Sequence, residues 1–595
     1  MSILTYILGW PLVAALALVL VPRNYRVILR AIAVLATFIP AVLAVKMFCA
    51  YGHAPVDADG YRFVQQIPWV ESLGISYHVG VDGLNVGLIL MGAIVAFAAA
   101  CCSWEIKERE KEFYILLLVM SGGILGAFAS LDLFFFYFLH ELALVPTFIM
   151  IGVWGRGERK NYATFQITLY LSIGALIALI GLIALYLQSG ANTFDIPKLI
   201  EHVKTNPLAA NAQNFIFPLL LFGFGILVSL WPFHSWAPLG YGAAPSPTAM
   251  LHAGVLKKFG LYGLIRIALP LMPQAVHGWM NFLAWLCLGN ILYVGWVAMR
   301  QKDLNLLIGN SSVAHMGFVF LGIASLNLIG VTGAVVIMIA HGFLAALTFA
   351  LSGYIYQKTG TLEMSRLGGL CRQLPFIGTA LLMAALAGCG LPGFANFVGE
   401  VTVFFGAWTV FPLVTALAVW GALLIAALYM LRAMRDVLHG PLPEKWATIP
   451  DASHVWRKLP YALLLASLFV FGCFPRLLTD KIAPDAKKIV EMATVKTGAI
   501  VIGNTKEKVV LVRARPGPLP FVFAALRRDR AEAKGEGGQE RENRRQSVRE
   551  TSIVGNFERR SLLFPPPGRE GHGEGERVDA QKSKNLLTWA ATETQ

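Results

Sequence analysis

Charge is what this chain has least of. Asp, Glu, Lys and Arg make up 14% of its 595 residues, against about 25% in soluble domains, which excludes an ordinary water-facing surface over most of its length. Nucleotide-binding loops are also missing. GRGERK at 155–160 lacks the GxxxxGK[ST] spacing of a phosphate cradle, and no GxGxxG opens a helix after a strand. The chain itself is therefore expected to bind neither NADH nor flavin. The seven cysteines, Cys49, Cys101, Cys102, Cys287, Cys371, Cys389 and Cys473, show no CxxC spacing and lie mostly inside apolar runs. Buried, reduced thiols are expected, with no zinc site and no iron–sulfur cluster. The first apolar run, Ile3 to Val21, has no basic segment before it and no small-residue cleavage site after it, so it is expected to be a retained helix and not a signal peptide.

Apolar sequence is what the chain has most of. Hydrophobic residues reach 56% and mean hydropathy is +0.62. Runs of about 20 apolar residues match a hydrocarbon core roughly 30 Å thick. In a lipid bilayer their backbone groups can be satisfied only within helices or a closed barrel, and runs of this length predict helices. An all-α polytopic membrane protein follows, with fourteen candidate spans beginning near residues 3, 28, 84, 113, 132, 162, 214, 245, 278, 305, 329, 375, 410 and 459.

The net charge of +14 falls to +10 (33 minus 23) without the tail from Leu511, which holds sixteen Lys/Arg and twelve Asp/Glu. Basic residues in such a protein mark cytoplasmic connections, so nucleic-acid binding is not implied. Connections after odd-numbered spans carry nineteen Lys/Arg, among them Arg23, Arg26, Lys107, Arg156, Arg300, Lys358 and Arg432; those after even-numbered spans carry little beyond Arg62, Lys198 and Lys204. The asymmetry predicts odd connections in the cytoplasm and both termini outside.

Two spans are interrupted, the seventh at Pro232 and the twelfth at GCGLPG, Gly388–Gly393. Proline removes a helical hydrogen bond and glycine tolerates unwound dihedrals. Five spans separate the breaks, which suggests two five-helix repeats, spans 4–8 and 9–13, of the kind transporters use. Ordinary proline kinks are the alternative. The expected organisation is N-terminal helices over 1–112, repeats over 113–270 and 271–440, a last helix over 441–480, and a charged tail over 481–595, disordered from 511. The tail is equally readable as a read-through extension without a role.

Ionisable residues inside apolar runs stand out, because a charge at the bilayer centre costs about 2.5–3.5 kcal/mol or more unless it faces protein or water. The stretch from Pro245 to Arg266, PSPTAMLHAGVLKKFGLYGLIR, carries Lys257 and Lys258. Glu141 lies in span 5, His315 in span 10, His341 in span 11 and Glu400 just after the second break. Carboxylate, amine and imidazole at depth are groups whose charge a moving neighbour can switch, which is what a proton relay needs. Glu400 is expected to exchange protons with the outer aqueous side. Ser311, Ser312 and Thr348 lie at helical spacing from the two histidines and are expected to extend their hydrogen bonding. Secondary candidates are His140, His234, His252 and Lys257. Lys257 and Lys258 differ by about 100° around a helix, so both are not expected to line one channel. The bland alternative for each histidine is a hydrogen-bonded packing residue.

Seven motifs in order, DGLN at Asp82–Asn85, the acidic span 5 with Pro146, WPFHSWAP, AGVLKKFGLYGLIR, QKDLNLLIGNSSVAHMGFV, IAHG and LPGFANFVGE, resemble the subunit M family of bacterial NADH:quinone oxidoreductase, complex I, whose mitochondrial counterpart is chain 4. The likeness covers roughly residues 1–480. It implies an antiporter-like, proton-translocating subunit of fourteen helices with two inverted five-helix repeats, set among other membrane subunits of a complex that uses FMN, iron–sulfur clusters and quinone elsewhere. By motif position Glu141 is similar to the family's helix-5 glutamate, Lys258 to its helix-8 lysine, His315 and His341 to its axis histidines, and Glu400 to its helix-12 acid. The family's helix-7 lysine is replaced by Leu227, and the Asp and His after its WLP element by Leu239 and Tyr241. The gating partner of Glu141 is then His140, His234 or a water, or else the first half-channel is inactive. A sodium/proton exchanger subunit and a non-pumping scaffold subunit are the alternatives to the pumping role.

Overall fold

The computed structural model describes residues 2–494, and the tail from 495 onward, with its expected disorder, lies outside the described residues. Twelve helices among those residues, of 18 to 32 residues each, are long and apolar enough to cross a membrane. Apolarity alone does not decide which of them sit inside. The best window of Leu328–Thr359 is wholly buried, whereas Ile3–Leu20 and Lys160–Ser189 are as apolar but bury only 39% of theirs. A helix that is hydrophobic all round and yet open on one side faces lipid or another apolar chain. Around Leu328–Thr359 pack Val86–Cys102, Leu304–Ala324, Ala395–Trp408 and Val455–Cys473.

The candidate spans near 245 and 375 are not among the twelve, because each is divided. The first runs from Ser246 to Leu271 with two π-turns, His252–Leu256 and Leu264–Ala268. The second consists of Pro375–Gly388 and Ala395–Trp408. Gly390 and Gly393 take φ of 69° and 100° in the gap, a left-handed region open to glycine at little cost. The break expected at Pro232 separates Ala210–Val228 from Trp236–Ala243. Asn290 crosses to it from a neighbouring helix. Its Oδ1 accepts from the Trp231 N–H at 2.8 Å, and its Nδ2 donates to the carbonyls of Ser229 at 2.9 Å and Val313 at 3.1 Å. Unwound backbone at this depth persists because one amide side chain replaces the lost helical bonds.

Two features depart from the helical reading. An antiparallel hairpin, β1 (Arg62–Val70) and β2 (Ile75–Val81), connects the second and third long helices. Its β-branched and aromatic residues suit a pleated surface, a signal that a search for 20-residue runs passes over. The tail expected from 481 also begins too early, since Arg476–Thr494 forms an amphipathic helix burying Leu478, Ile482, Ala486, Ile489 and Ala493. Asp485 on this helix accepts the Gly83 N–H at 2.7 Å. A β-carbon on Gly83 would run into the Lys481 carbonyl, so the helix lies directly on the backbone of the DGLN turn.

Candidate functional site

Four helices converge midway along their lengths on one line of polar side chains. Lys258 follows the first π-turn of the 246–271 helix. Wide turns of this kind are frequent at functional sites, and here the Ala253 carbonyl accepts from the Lys258 ammonium at 2.5 Å. The same Nζ lies 2.9 Å from Nδ1 of His341, on the enclosed Leu328–Thr359 helix. The rings of His341 and His315 are 5.5 Å apart, and His315 Nε2 is 3.7 Å from Glu400 Oε1. Lys258, His341 and His315 are at most 2% exposed, and Glu400 is 5% exposed.

His315 is held by the second helix break. Its Nε2 faces the Gly388 carbonyl at 3.2 Å, and its Nδ1 faces the Ser311 carbonyl at 2.7 Å. A protonated ring donates to both carbonyls, and a neutral ring to only one. The unwinding at 389–394 thus presents a carbonyl that a continuous helix would have used internally. Glu400 Oε1 and both polar atoms of Asn396, one turn before it, have no hydrogen-bond partner in the protein. Orphaned polar atoms at such depth are the usual mark of bound water.

The other candidates fall in different places. Glu141 is not in this line: its side chain is 30% exposed on the flank of Leu133–Trp154, with His140 Nδ1 at 3.2 Å. The His140 ring stacks on Phe259 at 3.9 Å, beside Lys258. Of the partners considered for Glu141, the structure brings up His140. His234 instead faces its own loop at the Pro232 carbonyl, 3.2 Å away, and the Tyr293 ring. Leu227 is buried. Glu400, expected at the outer aqueous side, is enclosed against the break. Thr348 does not extend His341, because its hydroxyl donates to the carbonyls of Leu344 and Ala345 on its own helix. His252 pairs with the Tyr241 hydroxyl at 3.2 Å, and Lys257 reaches Ser312 at 3.4 Å.

Sequence reasoning missed Tyr429, whose hydroxyl donates to Ser311 Oγ at 3.1 Å, and the Asn290 bracket. An asparagine inside CLGNILYVG was a usable signal, since an amide in an apolar helix needs partners. Tyr429 carried none. Among the described residues no three His, Cys, Asp or Glu side chains come together as a metal group.

Helices broken at two points, with a buried lysine–histidine–glutamate line running to the second break, define an antiporter-like membrane subunit. Residues 130–426 match the family model described as NADH:quinone oxidoreductase/Mrp antiporter, transmembrane. A chain 4 of NAD(P)H-quinone oxidoreductase from Nostoc sp. is 34% identical over 82% of this chain and 90% of its own length. Subunit M of the NADH-quinone oxidoreductase of Rhodobacter capsulatus is 32% identical, over 82% and 96%. A chain of respiratory complex I from Thermus thermophilus superposes with a TM-score of 0.75 at 28% identity, covering 82% of this chain and 99% of its own. The chain belongs to the subunit M/chain 4 family of NADH-quinone oxidoreductase, complex I.

Proposed function

We propose that this chain moves protons across the bacterial inner membrane as a subunit of complex I, coupled to quinone reduction in other subunits. The observation that carries the reading is the line Lys258, His341, His315, Glu400, whose steps are 2.9 Å, ring to ring at 5.5 Å, and 3.7 Å. A proton on Lys258 passes to His341 across one hydrogen bond. Either a ring rotation or one water carries it to His315, where two carbonyls hold the cationic ring, and Glu400 receives it. Glu141, with His140, stands at the exposed flank where a neighbouring antiporter-like subunit docks. FMN, iron–sulfur clusters and quinone belong to the rest of the complex. Counting the two divided helices gives fourteen spans, ten of them arranged as two inverted five-helix repeats, with both termini outside.

The test is NADH-driven acidification of inverted membrane vesicles that contain the assembled complex. Glu400→Gln is expected to lower protons moved per NADH oxidised while leaving assembly intact. Full pumping by this variant counts against the line. The matched family also includes Mrp antiporter chains, so sodium replacement belongs in the same assay: loss of acidification without sodium, with NADH oxidation unaffected, favours the exchanger. Leu227→Lys, which restores the cation that the resemblance expects in helix 7, is expected to change protons per NADH. An unchanged value counts against both a gating role for Glu141 and a silent first half-channel.

A further inference from the structure

Lys257 is a buried amine that the line above leaves unused. It is 1% exposed and precedes Lys258 directly. The π-turn His252–Leu256 ends at Lys257, whose N–H donates to the His252 carbonyl at 3.0 Å. Both lysines point inward, but to different partners. Lys258 meets His341, whereas Lys257 Nζ lies 3.4 Å from Ser312 Oγ and 5.6 Å from the centre of the Tyr241 ring. Behind Tyr241 stands His252, bonded to its hydroxyl. Ser312 sits on the His315 helix beside Ser311, whose hydroxyl is 3.4 Å from His315 Nδ1.

Among the described residues neither lysine is ion-paired with a carboxylate; their polar partners are hydroxyls, a carbonyl and an imidazole. Two adjoining ammonium groups without a counter-charge disfavour each other's ionisation, so the pair holds one proton far better than two. Burial strengthens that exclusion, because both side chains are at most 1% exposed. The Ser312 hydroxyl can exchange a proton with Lys257, and neither it nor the Tyr241 ring can neutralise the charge.

We propose that Lys257 gates Lys258 by like-charge exclusion. A proton arriving on Lys257 expels the Lys258 proton onto His341, and transfer of the Lys257 proton to Lys258 then reloads the carrier. One proton enters the pair and one leaves, with no other bond changed. The gate stands within the lysine helix itself, in a chain whose helix-7 position is Leu227. This inference rests on the reading of Lys258 as a proton carrier.

The experiment uses the whole complex in sealed vesicles and measures protons moved per NADH oxidised across external pH, for Lys257→Leu, Lys257→Arg, Lys257→His and Lys258→Met. Lys257→Leu is expected to lose this chain's share of the protons, because nothing then displaces the Lys258 proton. Lys257→Arg is expected to lose it too, because a permanent charge keeps Lys258 empty. Lys257→His is expected to retain part of the share with its optimum displaced towards acid, since imidazole titrates near pH ~6.5 and lysine near ~10.4. Normal pumping by Lys257→Arg would show a static or packing role and overturn the gate. Normal pumping by Lys257→Leu beside a defective Lys258→Met overturns the gate but leaves the proton line standing. Normal pumping by Lys258→Met overturns both.

Discussion

Lys258→Met is expected to stop proton movement through this chain while the complex still assembles. The ammonium is the only group on the 246–271 helix within hydrogen-bond reach of His341, and it holds the Ala253 carbonyl at 2.5 Å. Methionine fills nearly the same volume and is cheaper to bury, because it brings no charge into the membrane interior. Loss of stability is therefore not the expected outcome. Removing one positioned proton carrier costs about 10²- to 10⁴-fold in the step it serves, which leaves this path silent on the timescale of turnover. The measurement is protons per NADH in inverted vesicles, with native electrophoresis to confirm assembly. An unchanged ratio would remove Lys258 from the path and with it the reading of the whole line.

Asp82→Ala is expected to have the largest effect on stability. Asp82 Oδ2 and Arg266 lie 2.6 Å apart, their side chains 4% and 3% exposed, where the DGLN turn meets the end of the lysine helix. Arg266 also donates to Tyr262 at 3.0 Å and Tyr61 at 3.1 Å. Burial pushes the Tyr61 phenol up, so it stays neutral and accepts a hydrogen bond without balancing the guanidinium charge. Removing the carboxylate strands a buried cation, a change that costs about 3–5 kcal/mol, whereas replacing both partners with apolar residues is often near neutral. Thermal unfolding of the purified complex should show a large loss for Asp82→Ala, and most of it recovered when Arg266→Met is added. Equal loss in single and double variants would mean that the pair is not the source.

The parts of the site that were legible were those in which chemistry contradicts its surroundings. Lys258, His315, His341 and Glu400 are titratable groups in largely apolar runs, and all four prove to lie along one line. Glu141 has the same signature but a different fate, because sequence shows that a helix is apolar without showing which of its faces is enclosed. The breaks were legible from Pro232 and GCGLPG. Their bracket was not: Asn290 and the Gly388 carbonyl act at long sequence separation, which periodicity does not reveal. The two π-turns left no mark in the sequence that composition could show, and the first of them, His252–Leu256, ends at Lys257. The hairpin was passed over because a 20-residue window favours spans over strands. The helix Arg476–Thr494 was passed over because its charged face outweighs its apolar stripe in the same window.

The bond between Asp485 and the Gly83 amide joins positions 402 residues apart. During synthesis the DGLN turn emerges early and must wait, its amide without this acceptor, until almost every other described helix has been inserted. The clasp therefore closes only on a chain that has reached Asp485. A product that stops before that residue leaves the amide without its acceptor and the groove for Ile489 and Ala493 uncovered.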